Sequence, residues 1–324
     1  SCAFCIVPAV RGKEISRPYS ELVSEVEQLA LTGVTEITLL GQNVNSYGRD
    51  LTLKLRGAEL TPESSQLVGD KWVEGPHTAR PLFSDLLCSV AAVSGIRRVR
   101  YTSPHPKDFR PETIAAMAQI PEVCEHLHLP LQSGSDKILS AMHRGYTADR
   151  YIQKVTAARD EIPDLALSTD IIVGFPGETD LDFERTLEVA AEVKFDNAYT
   201  FVYSPRPGTE AAESSEQVVE AKTSADRMER LRKVIQRTSL KGNESRVGRE
   251  EEVIVEGHSK RDKKMLTGRT RHNRLVHFPA DRVIRPGSYA QVRVVEARTF
   301  NLVGELVEVT AGAKHRTRIP VVSS

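Results

Sequence analysis

The sequence predicts an α/β fold followed by a small all-β barrel. From Pro18 to about Phe201, segments with the period of a helix alternate with short apolar segments typical of buried strands. After Gly248 the pattern changes to short β-like runs separated by turn residues. The chain has 324 residues, and a typical domain has about 150, so the length also favours one large and one smaller domain.

The large domain is predicted to consist of repeated strand–helix–strand units. Such repeats indicate a mostly parallel sheet, either open or closed into a barrel. Five strands are expected, and a sixth could precede Ser1. The predicted strands are 34–40, 99–101, 126–131, 166–173 and 197–203. The predicted helices are 22–30, 83–93, 111–118, 135–142, 148–161 and 180–193.

Two segments depart from this alternation. Residues 50–80 fit neither period and are rich in Gly, Pro and Ser, which predicts an exposed, mobile insertion. Residues 216–243 predict a long polar helix with one apolar face, formed by Met228, Leu231, Val234 and Ile235, that leads out of the large domain.

The C-terminal part is predicted to be a five-stranded barrel. Its β-like runs are 252–255, 265–270, 275–278, 289–295 and 302–309. Five short strands with turn signals in so few residues favour a small closed barrel. The predicted domains are therefore 1–243 and 244–312, followed by a tail at 313–324.

Composition excludes several classes of protein. The hydrophobic fraction is 40% and the charged fraction 27%, which argues against disorder, a collagen-like repeat or a coiled-coil rod. No apolar run has the length of a membrane span. Although the net charge is zero, residues from Ser245 onwards carry 16 Lys+Arg against 9 Asp+Glu, and the preceding residues carry 28 against 35. This division fits a polyanion-binding module, and it equally fits ordinary scatter of surface charge.

Cys2 and Cys5 form a C-x2-C pair at the start of the chain. Thiolates at this spacing can share a metal or cluster, or form a redox pair. A zinc site needs a second pair, and Cys88 and Cys124 are too far apart in sequence to supply one. A thioredoxin-like site is disfavoured because Ile6-Val7-Pro8 follows the pair. We expect Cys88 and Cys124 to be small buried or partly buried side chains.

Polar or glycine-rich segments follow three of the predicted strands. They are 41–45, 132–135 and 174–179. Because the carboxyl ends of parallel strands meet at one edge of the sheet, together these segments predict a ligand site, although each alone is equally compatible with a plain turn. His126 and His128 alternate along a strand and are expected to line the same face, without a third metal ligand.

The motifs together resemble the methylthiotransferase family of radical S-adenosylmethionine (SAM) enzymes. The family's cluster motif is C-x3-C-x2-C, and Cys2-Ala3-Phe4-Cys5-Ile6-Val7-Pro8 matches its last two cysteines. The first cysteine would precede Ser1, so we expect an N-terminally truncated chain that is inactive as it stands. The resemblance continues at residues 39–45, 103–106, 128–135, 142–146, 170–179 and 203–209, and residues 297–305 resemble the TRAM domain, a small RNA-binding β-barrel.

The resemblance implies a fold and a set of cofactors. The fold would be a partial (β/α)6 barrel that lacks its first strand, followed by a TRAM barrel. The cofactors would be SAM, a [4Fe–4S] cluster ligated by Cys2 and Cys5, and a second [4Fe–4S] cluster in an N-terminal domain absent from this chain. Phe4 is expected near the SAM adenine, and further SAM contacts are expected from Gly41, Gln42, Ser133, Gly174 and Glu178.

The residues at 41–45 resemble the branch of the family that acts on tRNA. That branch adds a methylthio group to C2 of N6-isopentenyladenosine beside the anticodon. The alternatives are the branch that modifies an aspartate of a ribosomal protein, the branch that acts on threonylcarbamoyladenosine, and a non-catalytic RNA-binding protein. A tRNA anticodon stem-loop as partner implies a cytoplasmic protein without membrane association, and we expect a monomer. The basic residues expected to bind RNA phosphates are Lys260, Arg261, Lys263, Lys264, Arg269, Arg271 and Arg274.

Overall fold

The structure is a computed structural model that describes residues 2–12, 14–214 and 216–314. Most of the predicted tail, residues 315–324, lies outside this range. The strands of the large domain are β1 (Glu36–Leu39), β2 (Arg98–Tyr101), β3 (His126–His128), β4 (Ala166–Val173) and β5 (Asn197–Val202). Its helices are α1 (Val7–Arg11), α2 (Tyr19–Leu31), α3 (Arg49–Leu55), α4 (Ser64–Val68), α5 (Asp70–Val73), α6 (Phe83–Ala91), α7 (Pro111–Gln119), α8 (Asp136–Ala141), α9 (Ala148–Glu161), α10 (Asp180–Val193), α11 (Glu210–Glu213) and α12 (Ala221–Glu244).

The five strands run parallel in chain order. β1 pairs with β2, and β3, β4 and β5 pair in succession. The two groups are joined by backbone hydrogen bonds from the Val99 amide to the Glu122 carbonyl, at 2.7 Å, and from the Cys124 amide to the Val99 carbonyl, at 3.0 Å. Each connection passes through at least one helix. This is the incomplete α/β barrel that the sequence predicts.

The two faces of the sheet differ in chemistry. Alternate residues such as Val99, Leu127 and Ile171 are buried against the helices in one large apolar cluster. The other residues of each strand lie on the opposite face, which we call the inner face. It carries Arg98, Arg100, His126, His128, Ser168, Asp170, Tyr199 and Phe201. A polar inner face is available for ligands because the apolar core is on the other side.

Two helices begin at the residues that the sequence predicts because the side chains that cap them are adjacent in sequence. The Thr147 hydroxyl accepts a hydrogen bond from the Arg150 amide at the start of α9. Thr179 and Asp182 form a reciprocal capping box at the start of α10. α12 begins five residues later than predicted, at Ala221. The Gln217 carbonyl before it accepts a hydrogen bond from the Gly177 amide at 3.0 Å, which holds this segment against the β4–α10 turn instead.

The predicted insertion is folded into short helices around a buried tryptophan, so the expectation of a wholly exposed segment is wrong. Residues 50–80 include most of α3 and all of α4 and α5. Trp72 is 1% exposed in a small apolar cluster with Leu51, Val68 and Leu82. Its indole Nε1 donates to the Thr78 carbonyl at 2.9 Å. The cluster forms because side chains from several short helices meet, a pattern without sequence periodicity.

The C-terminal domain is a closed five-stranded barrel, as the sequence predicts. Its strands are β6 (Glu250–His258), β7 (Met265–Thr270), β8 (Leu275–Pro279), β9 (Tyr289–Ala297) and β10 (Leu302–Ala311). They close in the order β10-β8-β7-β6-β9. Val253, Val276, Phe278 and Val292 are fully buried in its interior. Among the described strands of this small domain, closure leaves no open sheet edge.

Two buried arginines join the small barrel to the inner face of the large domain. Arg98 donates to the carbonyl oxygens of Arg269 and Glu252, at 2.9 and 2.8 Å. Arg100 donates to the carbonyl oxygens of Thr270 and Arg271, at 2.7 and 2.9 Å. Because these bonds come from the amino ends of the strands, the β7–β8 turn covers that end of the inner face. The two domains therefore share buried polar contacts.

Candidate cofactor and substrate site

The cysteine pair lies on a turn at the edge of the incomplete barrel. The Cys5 amide donates to the Cys2 carbonyl at 3.2 Å, and both cysteines are partly buried. Ala3, between them, donates from its amide to Met142 and accepts from the amide of Ala211, at 3.2 and 3.0 Å. The turn is thus fixed between the end of α8 and α11.

Arg144 contacts the first cysteine directly. Its Nη1 donates to the Cys2 Sγ at 3.0 Å, and its Nε donates to the Tyr146 hydroxyl at 3.2 Å. The Arg144 residue is only 5% exposed. Burial raises the pKa of Tyr146, so its hydroxyl remains a donor to the Leu131 carbonyl at 3.0 Å. Arg144 lies in the 142–146 motif, but the sequence analysis assigned it no role.

Phe4 belongs to a satellite apolar cluster beside the cysteines. Its ring meets Phe175 edge-on at 6.2 Å between centroids, and Phe175 meets Tyr203 at 5.2 Å. This cluster joins the cysteine turn to the residues after β4 and β5. Phe4 therefore lies where the carboxyl ends of the strands meet, and its contact with SAM stays a prediction.

The predicted contacts after β1 and β3 differ in accessibility. Gly41 and Gln42 are exposed, and a Cβ on Gly41 would lie 3.3 Å from the Val44 Cα. Ser133 is 1% exposed, and its hydroxyl contacts the Thr186 hydroxyl at 3.3 Å. The structure therefore leaves Gln42 open to a ligand and places Ser133 behind the strand end.

Gln132 belongs to the predicted strand-end segment 132–135, although it was not among the predicted SAM contacts. It has a left-handed φ of 67°, which is uncommon for a residue other than glycine. Within the described residues, its buried side-chain Oε1 accepts no hydrogen bond. A buried acceptor without a donor is costly, and backbone strain of this kind is concentrated at functional sites. The glutamine at a strand end, next to Ser133, was the available signal.

Gly174 and Glu178 are engaged with α12. The Glu178 carboxylate accepts from the Gly174 amide and, at 3.0 Å, from the Arg227 Nη1. Its side chain is 1% exposed, and burial raises the pKa of Glu178 although the Arg227 guanidinium acts to lower it. A Cβ on Gly174 would lie 2.5 Å from the Ser224 Oγ. Both residues shape the β4–α10 turn, and a direct contact with SAM stays a prediction for each.

His126 and His128 share one face, as predicted. Both rings approach the Ser168 hydroxyl at 3.0 Å. The His128 Nε2 also lies 3.4 Å from the Asp170 carboxylate. Burial, with a contribution from Arg100, lowers the pKa of His126 to about 3. Among the residues that the structure describes, no group of three His, Cys, Asp or Glu side chains is placed to hold a metal ion.

The two remaining cysteines behave differently from each other. Cys124 is buried, as expected, and burial raises the pKa of its thiol. Cys88 is exposed, so the expectation of a buried or partly buried side chain is wrong for this residue. It lies on the outer side of α6, away from the apolar core.

The seven predicted RNA-binding residues divide into two groups. Lys260, Arg261, Lys263 and Lys264 are exposed in the β6–β7 loop. The other three are paired with carboxylates. Arg269 bonds Glu256 at 2.5 Å, Arg271 bonds Glu125 at 2.7 Å, and Arg274 bonds Asp196. Because Glu125 and Asp196 belong to the large domain, Arg271 and Arg274 join the two domains. Phosphate binding stays a prediction for all seven.

The described residues supply part of a binding site for a [4Fe–4S] cluster and SAM. Cys2 and Cys5 offer two sulfur ligands on one turn, and the family motif requires three. The unpaired Gln132 oxygen and a buried Asn43 Oδ1, likewise without a donor among the described residues, fit a ligand that brings hydrogen-bond donors. Both lie at strand ends on the side of the cysteine turn. None of the described helices is long and apolar enough to span a membrane.

Comparisons with known proteins agree with this geometry. Residues 1–190 match the family model of the radical SAM superfamily, and residues 244–307 match that of the TRAM domain. A tRNA-2-methylthio-N(6)-dimethylallyladenosine synthase of Moorella thermoacetica is 47% identical over 307 residues, which cover 95% of this chain and 63% of that protein. A synthase of the same name from a Thermoanaerobacter species is 44% identical over 95% of this chain and 59% of its own length. The chain thus spans about three fifths of these relatives.

Among solved structures, the coproporphyrinogen III oxidase of Escherichia coli, also a radical SAM enzyme, is 12% identical. The likeness covers 90% of this chain and 63% of that chain with a TM-score of 0.46. At that score the likeness adds nothing to the assignment made from sequence.

Proposed function

Because the chain belongs to the radical SAM superfamily, we propose that it is the catalytic and RNA-binding part of a tRNA methylthiotransferase. The reaction would add a methylthio group to C2 of N6-isopentenyladenosine beside the anticodon. The observation that carries the proposal is the 47% identity over 307 residues to a relative named for that reaction. The TRAM match at 244–307 supports an RNA substrate. Such a substrate implies the cytoplasm, and we expect a monomer.

Cys2 and Cys5 would provide two of the cluster's thiolate ligands. When bound, a [4Fe–4S] cluster supplies the electron that cleaves SAM. Arg144 holds Cys2 in place through the 3.0 Å contact with its sulfur. Hydrogen bonds to cluster sulfurs also tune the reduction potential. The contact with Arg144 therefore fits both a positioning and an electronic role.

SAM would lie across the carboxyl ends of the strands. Phe4 would pack against its adenine, and Gln42 and Gln132 would hydrogen-bond its polar groups. Ser133, Gly174 and Glu178 would act mainly by fixing the turns on which these groups stand. Between the cysteine turn and the inner face, part of a bound SAM would be shielded from water.

The exposed β6–β7 loop would bind RNA phosphates. Lys260, Arg261, Lys263 and Lys264 place four cations there without a described carboxylate partner. Phosphate contacts position the RNA, and the target base then leaves the loop stack to reach the inner face. Unstacking is least costly for a base that is already unpaired, as in an anticodon loop.

The test is nucleoside mass spectrometry of tRNA from cells that lack the full gene. Loss of 2-methylthio-N6-isopentenyladenosine, with accumulation of its unthiolated precursor, is expected. Reintroducing the full gene should restore the product, whereas Cys2→Ser or Cys5→Ser should not and should lower the iron content of the purified protein. Cys88→Ser is the matched control, because Cys88 is an exposed cysteine on α6 and is not part of the Cys2–Cys5 turn. An unchanged tRNA profile would overturn the proposal and direct attention to a ribosomal-protein substrate.

A further inference from the structure

The inner face carries two exposed aromatic side chains at its open edge. Tyr199 and Phe201 are 53% and 51% exposed on β5, the last strand of the sheet. They are two residues apart, so both point to the inner face and their Cα atoms are about 7 Å apart. A single exposed aromatic side chain is ordinary, but adjacent exposed apolar side chains that form one patch indicate an interaction site. Two such side chains beside a predicted cofactor site indicate a ligand with a flat apolar surface.

Polar groups lie directly next to these rings. Asp170 is paired with Tyr199 across β4 and β5, and it remains partly accessible, with 28% of its side chain exposed. Its carboxylate is 3.4 Å from the His128 Nε2, and the His128 ring meets Tyr199 edge-on at 5.9 Å. The Ser168 hydroxyl contacts the other ring nitrogen of His128 at 3.0 Å. Hydrogen-bonding groups thus border the aromatic surface on one side.

The charges favour a base over a phosphate. Asp170 is a carboxylate paired directly across the sheet with Tyr199, and a carboxylate repels phosphate. Arg98 and Arg100, the cations of the same face, are buried and use their guanidinium groups on carbonyl oxygens of the small barrel. A flat aromatic ligand with a hydrogen-bond donor at its edge could stack on the rings and donate to the carboxylate. A purine with an exocyclic amine has this combination.

We propose that Tyr199, Phe201 and Asp170 form the binding site for the target adenine. The two rings stack on the base, and the carboxylate accepts a hydrogen bond from its exocyclic nitrogen. The His128 ring holds Asp170 in place. This inference rests on the proposed function and adds to it the residues that receive the base. The apolar rings also suit an N6 substituent made of hydrocarbon. The Cys2–Cys5 turn lies toward the carboxyl ends of the same strands, so the bound base would face the cofactors.

The experiment measures binding of anticodon stem-loop RNA to the full-length protein in a double-mutant cycle. The RNA carries either the target adenosine or an abasic site at the same position, and the protein is wild type, Tyr199→Leu or Phe201→Leu. Each variant should weaken binding of the base-bearing RNA about tenfold, as expected for one lost stacking contact. Binding of the abasic RNA should not change, because the lost contact is with the base. Val202→Ala is the matched control, since Val202 is also exposed but points to the other face of β5.

A second cycle tests the hydrogen bond. Asp170→Asn should weaken binding of the adenosine RNA several-fold. Unsubstituted purine lacks the exocyclic amine, so RNA that carries purine at this position should bind the variant and the wild-type protein equally. Equal losses with base-bearing and abasic RNA, or no loss, would overturn the inference and indicate that another part of the full protein covers the rings. Failure of the proposed function is a separate result, because the mass-spectrometric assay on the wild-type gene would then show no methylthio product.

Discussion

The guanidinium of Arg98 binds Glu252 twice, donating to its main-chain oxygen at 2.8 Å and to its carboxylate at 2.9 Å. The two residues belong to different domains, and Arg98 is fully buried. A second donor of Arg98 bonds the Arg269 carbonyl at 2.9 Å. Removing the guanidinium would take this donor from both carbonyl oxygens, whereas the Glu252 carboxylate would keep its contact with Arg97 at 2.8 Å.

Replacing Arg98 with methionine should therefore destabilise the protein more than replacing an exposed arginine. Arg98→Met leaves buried carbonyl oxygens unsatisfied, and we expect a loss of about 3 kcal/mol in the free energy of unfolding. Arg293→Met removes an exposed pair with Glu250, 2.7 Å long, and should cost less than about 1 kcal/mol. Urea unfolding of both variants is the measurement. Similar losses in the two variants would show that the interdomain bonds contribute no more than a surface ion pair.

Acid should destabilise the protein through His126. Burial lowers its pKa from 6.5 to about 3 in the folded protein, so below pH 6.5 the unfolded chain binds a proton that the folded chain does not. Stability therefore falls as the pH decreases through this window, by about 1.4 kcal/mol per pH unit for one such group. His126→Gln should reduce the slope of unfolding free energy against pH between 6 and 4 by about that amount.

Ser168→Ala is the control for that measurement. It removes the hydroxyl that contacts His126 at 3.0 Å and keeps the titrating imidazole. The acid slope should thus persist in Ser168→Ala. If His126→Gln left the slope at its wild-type value, the buried imidazole would not be a source of the acid sensitivity.

Trp72 should hold the folded insertion together. Trp72→Ala removes the largest side chain of the cluster with Leu51, Val68 and Leu82, and large-to-small changes of this kind cost about 3–5 kcal/mol. Amide hydrogen exchange across residues 49–82 should accelerate, with smaller changes in the strands of the large domain. Lys71→Ala is the matched neighbour, because Lys71 is exposed and its partner Asp85 keeps a 2.6 Å contact with Arg80. Fast exchange of this segment in the wild-type protein would contradict the packed cluster.

The β6–β7 loop should contribute to the salt dependence of RNA binding. Changing Lys260, Arg261, Lys263 and Lys264 together to glutamine removes four cations, which should reduce the slope of log affinity against log salt by about three. Fluorescence anisotropy with an anticodon stem-loop between low and moderate salt measures the slope. Lys54 and Arg56, exposed in the insertion, provide a control when changed to glutamine. An unchanged slope in the loop variant would place the phosphate contacts elsewhere.

Much of the fold follows from local signals in the sequence. α9 and α10 have the predicted ends because the capping residues Thr147 and Thr179 are adjacent to the helices that they start. The strands of the large domain were visible as short apolar segments, and those of the small domain as short β-like runs between turn residues. Cys2 and Cys5 were identifiable for a similar reason, since their spacing is itself the signal.

The features that the sequence did not reveal depend on distant partners. The sequence assigned no role to Arg98 and Arg100, because their carbonyl acceptors lie about half the chain away. Arg271 and Arg274 were grouped with the phosphate-binding residues because their carboxylate partners belong to the other domain. The Trp72 cluster has no sequence period, and Gln132 shows its unpaired oxygen only in three dimensions.

The β7–β8 turn over the inner face has a consequence for experiments that dissect the protein. Deleting the small barrel would remove the four carbonyl oxygens that Arg98 and Arg100 bond. Two buried guanidinium groups would then face solvent at the amino ends of the strands, near His126, whose pKa the charge of Arg100 helps to lower. A truncated protein would therefore combine weaker RNA binding with an altered electrostatic potential inside the large domain. The sequence boundary near residue 244 separates two folds, yet buried polar contacts cross it.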